Sequence, residues 1–434
     1  MALGAGVASA AEGDWTQYRY APTKNAHVDS GLEDLLDDGV DTADEVRSTP
    51  VIADGKMFVG NHGTGALQAF DLATGDELWS EQAPNWVHSE MIYADGTIFV
   101  GFGNRFAHEE IPGVRGSGES GVLALDADTG KQLWRFDTVG EVMPTPVVVN
   151  GAVYAVTGDR TLYKIDPASG DELHRTDIGH VVSMSSPAEH DGKLFFGAGS
   201  PAPYSFFSYD TATDKFAWSH EFPEFNRGLD DVPPAVDEGI VVTTANAVRV
   251  PGSSGEREEH TIVAMDEKSG AELWRKSLGT GPAPTNNRSG APTIDGGKVF
   301  VGSPTTSAAY AFDLHTGKQL WRNPVGAIKG APVIDGNDAY FSTTSGDVFR
   351  LDVTTGAITG KLQLEGALAP AGPIIVDDTL VVPSQNKRVY FTPLEEIPEF
   401  TVPGVSGSAA GSSGSAFEIG GSLGLDAGSL DAAY

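Results

Sequence analysis

The sequence predicts an all-β protein, an eight-bladed β-propeller closed by its N-terminal strand, on three observations. A unit Asp-x-x-Thr/Ser-Gly-x-x-x-Trp recurs at Asp71–Trp79, Asp126–Trp134, Asp266–Trp274 and Asp313–Trp321, and returns with changes from Asp166, Asp210 and Asp352. Each copy follows a two-residue turn signal between apolar runs. Apolar residues alternate before the Asp, as in Leu123-Ala124-Leu125, which marks a strand with one buried face. A self-similar unit at a period of about 40–50 residues means a repeat architecture.

Within the unit, the Asp carboxylate suits the backbone N–H groups of a turn, and the Thr or Ser three residues on does the same more weakly. Gly75, Gly130, Gly170, Gly270, Gly317 and Gly356 supply a positive φ; Asp214 stands there in the fourth copy. Trp79, Trp134, Trp218, Trp274 and Trp321 then sit on the returning strand, where a flat ring of roughly 150–250 Å² fills the space between sheets. His174 and Gly360 replace the Trp in the third and seventh copies, so weaker contacts are expected there.

The preceding turns are Asp54-Gly55, Asp95-Gly96, Asn150-Gly151, Asp191-Gly192, Glu238-Gly239, Asp295-Gly296, Asp335-Gly336 and Asp377-Asp378, the residue types a tight hairpin prefers. Eight such hairpins against seven Asp-Thr-Gly hairpins leave the last blade one strand short. The segment Gly13-Asp14-Trp15-Thr16-Gln17-Tyr18 resembles the end of a repeat without its hairpin partner, so Trp15 is expected on the outer strand of blade eight, beside Val389. Closure hides exposed strand edges. A seven-bladed ring with a loose hairpin is the alternative. The region from Gly31 to Glu45 reads as a loop or one helical turn with Leu32, Leu35 and Leu36 at helical spacing.

Residues 1–11 are small and apolar and end in Ala-Ser-Ala, the pattern of a secretory signal without its basic front, or else an unstructured start. Residues 12–397 make the propeller. Residues 398–434 are rich in Gly, Ser and Ala and are expected as a flexible tail. The chain has no Cys, which excludes disulfides, thiolate nucleophiles and Cys-ligated metals. A net charge of −32 argues against nucleic acid or an anionic membrane as partner. No run is apolar enough for a transmembrane helix.

The longer form Ala-x-Asp-x-x-Thr-Gly-x-x-x-Trp, as in Ala69–Trp79, Ala124–Trp134, Ala264–Trp274 and Ala311–Trp321, resembles the repeat of the pyrroloquinoline-quinone (PQQ)-like propellers over about Asp14 to Thr392. The resemblance implies two branches. Quinoprotein alcohol and sugar dehydrogenases hold PQQ and calcium in the channel. The BamB-type branch binds partner proteins and does no chemistry, and this chain looks closer to it in length and plainness. The alcohol dehydrogenases stack their quinone on a vicinal disulfide, which is absent here. Glu141, Asp230 and Asp231 are oxygen ligands in principle, but they match no calcium set residue by residue.

A binding site is expected at the channel mouth, on the face bearing two insertions, Asn104 to Glu119 in blade two and Val250 to His260 in blade five. Both place His beside Glu, residue types a metal uses, although solvated acidic loops are the plainer reading. Blade starts bring Arg47, His88, Met143, Met184, Asp231, Arg288 and Lys329 around the mouth, with Trp86 just before His88. Arg47, Arg288 and Lys329 stand out in so acidic a chain and suit an anionic ligand or a partner's carboxylate. Against this stands the plainer role of offsetting the ring's negative field. No catalytic residue, metal or cofactor is expected. The function expected is an extracytoplasmic, monomeric scaffold for protein or cell-envelope partners, secreted or at the cell surface, with a PQQ- and calcium-dependent dehydrogenase as the alternative.

The acidic, Lys-poor composition resembles that of salt-adapted proteins of halophilic archaea. Withdrawal of salt is therefore expected to unfold the chain; a sharp melting transition at low ionic strength counts against this origin.

Overall fold

The computed structural model describes residues 13–400 apart from Glu33, residues 251–256, Asn287 and Ala369; the expected signal remnant and nearly all of the expected tail lie outside the described residues. Eight sheets succeed one another along the chain, seven of four strands and one of five. Blade one runs from Val51–Ala53 to Glu77–Gln82 and blade seven from Val333–Asp335 to Ile358–Gln363, each an antiparallel meander with its first strand innermost. The turns Asp54-Gly55, Asp95-Gly96, Asn150-Gly151, Asp191-Gly192 and Glu238-Gly239 have positive φ at both residues, the twist-matched hairpin form. In blades six and seven the turn slips by one residue, because Asp295 pairs with Lys298 and Asp335 with Asp338.

The recurring unit links one blade to the next. In blade one, Asp71 Oδ1 accepts the N–H groups of Ala73 (3.0 Å) and Thr74 (2.8 Å), and the Gly75 N–H donates to the Asp71 carbonyl. The carbonyl just after each repeat Asp is left for a donor from the preceding blade. Trp79 Nε1 donates to Ala127 O (2.9 Å), Trp134 to Pro167 O (2.8 Å), Trp218 to Glu267 O (2.9 Å), Trp274 to Leu314 O (2.7 Å) and Trp321 to Val353 O (3.1 Å). The same ring lies against the next blade's Gly: a Cβ on Gly317 would sit 2.5 Å from Trp274.

The two expected weak junctions are built differently. Where His174 replaces Trp in blade three, the facing Gly of blade four is the Asp214 already noted, so donor and glycine are lost together. Tyr154 Oη donates to Thr211 O (3.3 Å) instead, and Lys164 Nζ pairs with Asp214 (2.9 Å). Gly360 lies on the outer strand of blade seven, and blade eight has no Asp-Thr-Gly turn to receive a Trp. Residues 398–400, read from sequence as the beginning of the tail, run along that strand, with Gly360 bridged to Glu399.

The ring has eight blades and an N-terminal strand closes it, but not the one expected. Asp38–Asp41 is the outer strand of blade eight, with Val40 opposite Val389. Leu36 and Val40 cover Gly75 as a Trp would, and the Leu36 N–H donates to Leu72 O (3.0 Å), the carbonyl a Trp Nε1 takes elsewhere. Trp15 is not beside Val389. It is fully buried and bridges Tyr93 on the innermost strand of blade two, each N–H bonding the other's carbonyl. The cause is backbone demand: each innermost strand presents an unpaired edge to the channel, and residues 15–28 satisfy those edges one blade after another. Val148 N donates to Thr16 O, Glu189 N to Gln17 Oε1, Val236 N to Pro22 O, Ile294 N to Thr23 O, Ile334 N to Asn25 Oδ1 and Ile375 N to Ala26 O. This thread visits blades two to eight in order before the chain leaves for the outer edge.

The paired losses at His174 and Asp214 predict coupling. H174W alone is expected to destabilise, since its ring meets the Asp214 Cβ, and D214G alone loses the Lys164 pair. The double variant is expected to be more stable than the sum of the two by about 0.5–3 kcal/mol, measured by denaturant unfolding in a double-mutant cycle.

Candidate functional site

The thread closes one end of the channel. Arg19 and Lys24 are fully buried there. Arg19 donates to the carbonyls of Lys24 (3.0 Å), Pro332 (3.3 Å) and Pro373 (2.8 Å), and its backbone N–H meets Glu90 Oε2 (2.9 Å). Burial lowers the Lys24 ammonium to about 7 and raises the Glu90 carboxyl to about 7. Above the thread lies a chamber of about 40 Å³ whose lining includes Tyr18, Arg47, Ser48, His88, Asp231 and Lys329. At about 10–15 Å³ per water it has room for roughly three to four water molecules.

Six of the eight residues expected around the channel mouth, Arg47, His88, Met143, Met184, Asp231 and Lys329, thus line one chamber. Arg288 adjoins it: Arg288 Nη1 and Arg227 Nη1 share one carboxylate oxygen of the buried Glu258, at 2.8 Å each. Burial lowers the Lys329 ammonium to about 8, and the nearby Arg47 and Arg288 guanidiniums push the same way. Trp86 is not on the lining; it packs on His62 (ring centroids 4.9 Å) and on Phe106 (5.2 Å) of the blade-two insertion, and His62 packs on His88 (3.9 Å). The insertion reaches across the mouth, where Arg105 Nη1 meets Asn286 Oδ1 (2.7 Å) between blades five and six; Lys329 Nζ donates to the Asn286 carbonyl.

Sequence reasoning missed Arg105, Arg115 and His62. Arg115, from the same insertion, stands 3.1 Å from the wholly buried Glu141 and acts electrostatically on Asp230. Burial raises Glu141 to about 8 and Asp230 to about 7, in each case against the pull of Arg115. The signal was an Arg in an insertion, but only the fold brings it between blades three and four.

The structure also bears on a quinone and calcium. The chamber is far smaller than the about 300–1,000 Å³ of small-molecule pockets. Calcium takes 6–8 oxygens, roughly, at about 2.3–2.6 Å. Glu141 and Asp230 instead face the Arg115 guanidinium, whose positive charge stands where a cation would have to compete. The residues present do not fit that pair of groups. The two His-Glu pairs offered as metal ligands separate likewise. His108 Nδ1 accepts the backbone N–H groups of Glu110 and Ile111, while His260 is fully buried against Ser303 Oγ (2.8 Å). Among the described residues, His190, Asp191 and Glu267 are a different group with three potential ligand atoms within 4.8 Å of one another, on blades four and five.

The chain matches the family model described as outer membrane protein assembly factor BamB over residues 35–108, 113–202 and 182–395. It is 27% identical to a tetrathionate hydrolase of Acidithiobacillus ferrooxidans over 80% of this chain and 72% of that one. It is 26% identical to outer membrane protein assembly factor BamB of Burkholderia pseudomallei over 79% of this chain and 83% of that one. Among solved structures it resembles BamB from Moraxella catarrhalis, with a TM-score of 0.59 and 19% identity, covering 82% of this chain and 97% of that one. It also resembles quinohemoprotein alcohol dehydrogenase from Comamonas testosteroni, with a TM-score of 0.62 and 14% identity, covering 92% and 82%. The two structural likenesses show the fold alone.

The edge-to-face imidazoles of His62 and His88 carry a pH prediction. Burial holds His62 at about 3 and His88 well below its ordinary value, so both are neutral at pH 7. A folded-state pKa below the unfolded 6.5 means the unfolded chain binds more protons, and the stabilising contribution is lost as pH falls from about 6.5 towards 3. The H62Q/H88Q variant is expected to lose less stability than the parent between pH 6.5 and 4, roughly, in denaturant titrations across that range.

Proposed function

The chain belongs to the family of the outer membrane protein assembly factor BamB, and on that premise we propose that it is a non-catalytic, extracytoplasmic binding scaffold for protein or cell-envelope partners. The observation that carries this reading is the channel closed from within: the chain's own residues 15–28 bond to the innermost strands of blades two to eight and leave a chamber of only about 40 Å³ above them. Binding then falls to the face where the blade-two insertion and the long blade-five hairpin, Ile240–Val250 with Arg257–Asp266, stand out. BamB relatives support the scaffold role and the extracytoplasmic setting, and the acidic surface suits work in concentrated salt.

A second reading is favoured by one relative and one local feature. The tetrathionate hydrolase similarity spans most of the chain, and Glu141 and Asp230, two buried carboxyls with near-neutral pKa, lie beside Arg115 at the mouth. Such groups serve proton transfer near neutral pH, and arginines serve anionic substrates.

Crosslinking at high salt is expected to capture a defined envelope partner, lost when residues 104–119 are replaced by a short Gly-Ser linker. Titration with PQQ and calcium is expected to give no tight binding. Consumption of tetrathionate by the purified chain, abolished by D230N, would replace the scaffold reading with the hydrolytic one.

A further inference from the structure

The chamber above the thread has a chemistry that neither reading uses. Its lining carries two cationic side chains, Arg47 and Lys329, against one carboxylate, Asp231, with Glu45 paired to Arg47 from outside the lining. Arg288 adds to that excess, because it divides the charge of Glu258 with Arg227. In a chain of net charge −32, such a near-balance of cations and carboxylates is a local departure. Burial first and Arg47 next disfavour the Lys329 charge, while Asp231 on the lining pulls the other way.

Neutral donors accompany the cations. The Ser48 hydroxyl and His88 Nδ1 are buried and have no hydrogen-bond partner, although buried polar groups are nearly always paired. Both residues belong to the lining, and the imidazole can present an N–H at Nδ1 while neutral. Arg47 is fixed in place, its Nε on Glu45 Oε2 (3.0 Å) and its Nη2 on Gln385 Oε1 (3.2 Å). Lys329 is fixed by the Asn286 carbonyl. The donors are therefore preorganised.

Size narrows the ligand. The room of roughly three to four waters is that of one tetrahedral oxyanion. A carboxylate presents two oxygens in a plane, whereas a sulfate- or phosphate-like group presents three or four around a centre, matching donors that converge from different blades.

We propose that this chamber is a binding site for a single tetrahedral oxyanion group, held by Arg47 and Lys329 with Ser48 and His88 and entered past the Arg105–Asn286 bridge. The proposal is independent of the scaffold reading and of any hydrolysis. It names the group recognised, an XO₃ or XO₄ terminus, whether a free ion or the end of a larger molecule.

Calorimetric titration of the full chain with sodium sulfate, sodium phosphate and sodium acetate, at constant sodium chloride, tests it. Saturable binding is expected for sulfate or phosphate and not for acetate. K329M and R47M are each expected to weaken it about tenfold or more, while K215M, on the outer strand of blade four, leaves it unchanged. Lys329 gives up a disfavoured buried charge on substitution, so K329M is expected to fold, and an unchanged circular dichroism spectrum verifies this. A selenate soak is expected to place the anion between Arg47 and Lys329. Absence of saturable heat up to about 10 mM, equal binding of acetate, or affinity unmoved by both variants with selenate elsewhere, an adventitious ion only, would each overturn the site. A sulfonate- or phosphate-tipped oligosaccharide that competes with sulfate would identify the group as the end of a larger ligand, and lack of competition would identify it as the free ion.

Discussion

The bond from one blade to the carbonyl after the next blade's Asp is what the rest of the structure depends on. That carbonyl is turned out of its own sheet by the tight turn, and burial without a donor would cost about 1–3 kcal/mol. Five tryptophans, one tyrosine hydroxyl and one backbone N–H meet the seven acceptors. The chemistry of the donor changes while the acceptor stays. Blades can therefore diverge in sequence and keep their spacing, and the ring keeps its count.

Much of this was legible in the chain. Asp, Gly and Trp at fixed offsets state turn, conformation and ring in one short run, and the turn residues Asp54-Gly55 or Asn150-Gly151 state the hairpin before it. The closing strand was not legible. Asp38-Gly39-Val40-Asp41 has one apolar residue and no aromatic, and its identity as a strand comes from the open edge of Arg388–Pro393. Trp15 misled because its neighbours resemble the end of a repeat, yet it has no hairpin to return from. The thread it begins bonds through backbone groups together with the side chains of Gln17, Arg19 and Asn25, whose spacing follows no repeat.

The site divides in the same way. Arg47, His88, Asp231 and Lys329 were found because each begins a blade, and blade starts must surround the axis. Arg105 and Arg115 come from an irregular insertion, whose path across the mouth is set by contacts such as Arg105 with Asn286 and Phe106 with Trp86. Periodicity locates what repeats and says nothing of what crosses over it. Of these non-repeating parts, the thread lines the chamber through Tyr18 and the blade-two insertion crosses the mouth through Arg105.

The thread also constrains the order of assembly. Residues 15–28 leave the ribosome before any of the eight sheets is complete, yet their hydrogen-bonding partners lie on seven sheets, the last of them beyond residue 373. A segment made before the sheets is thus among the last to be satisfied, and contacts of such long sequence separation are slow to form. Each new sheet must wind around a strand already waiting at the axis. A nascent chain halted before its final sheet has an unfilled inner edge and an unpaired outer one, a form with two open invitations to stick to its neighbours.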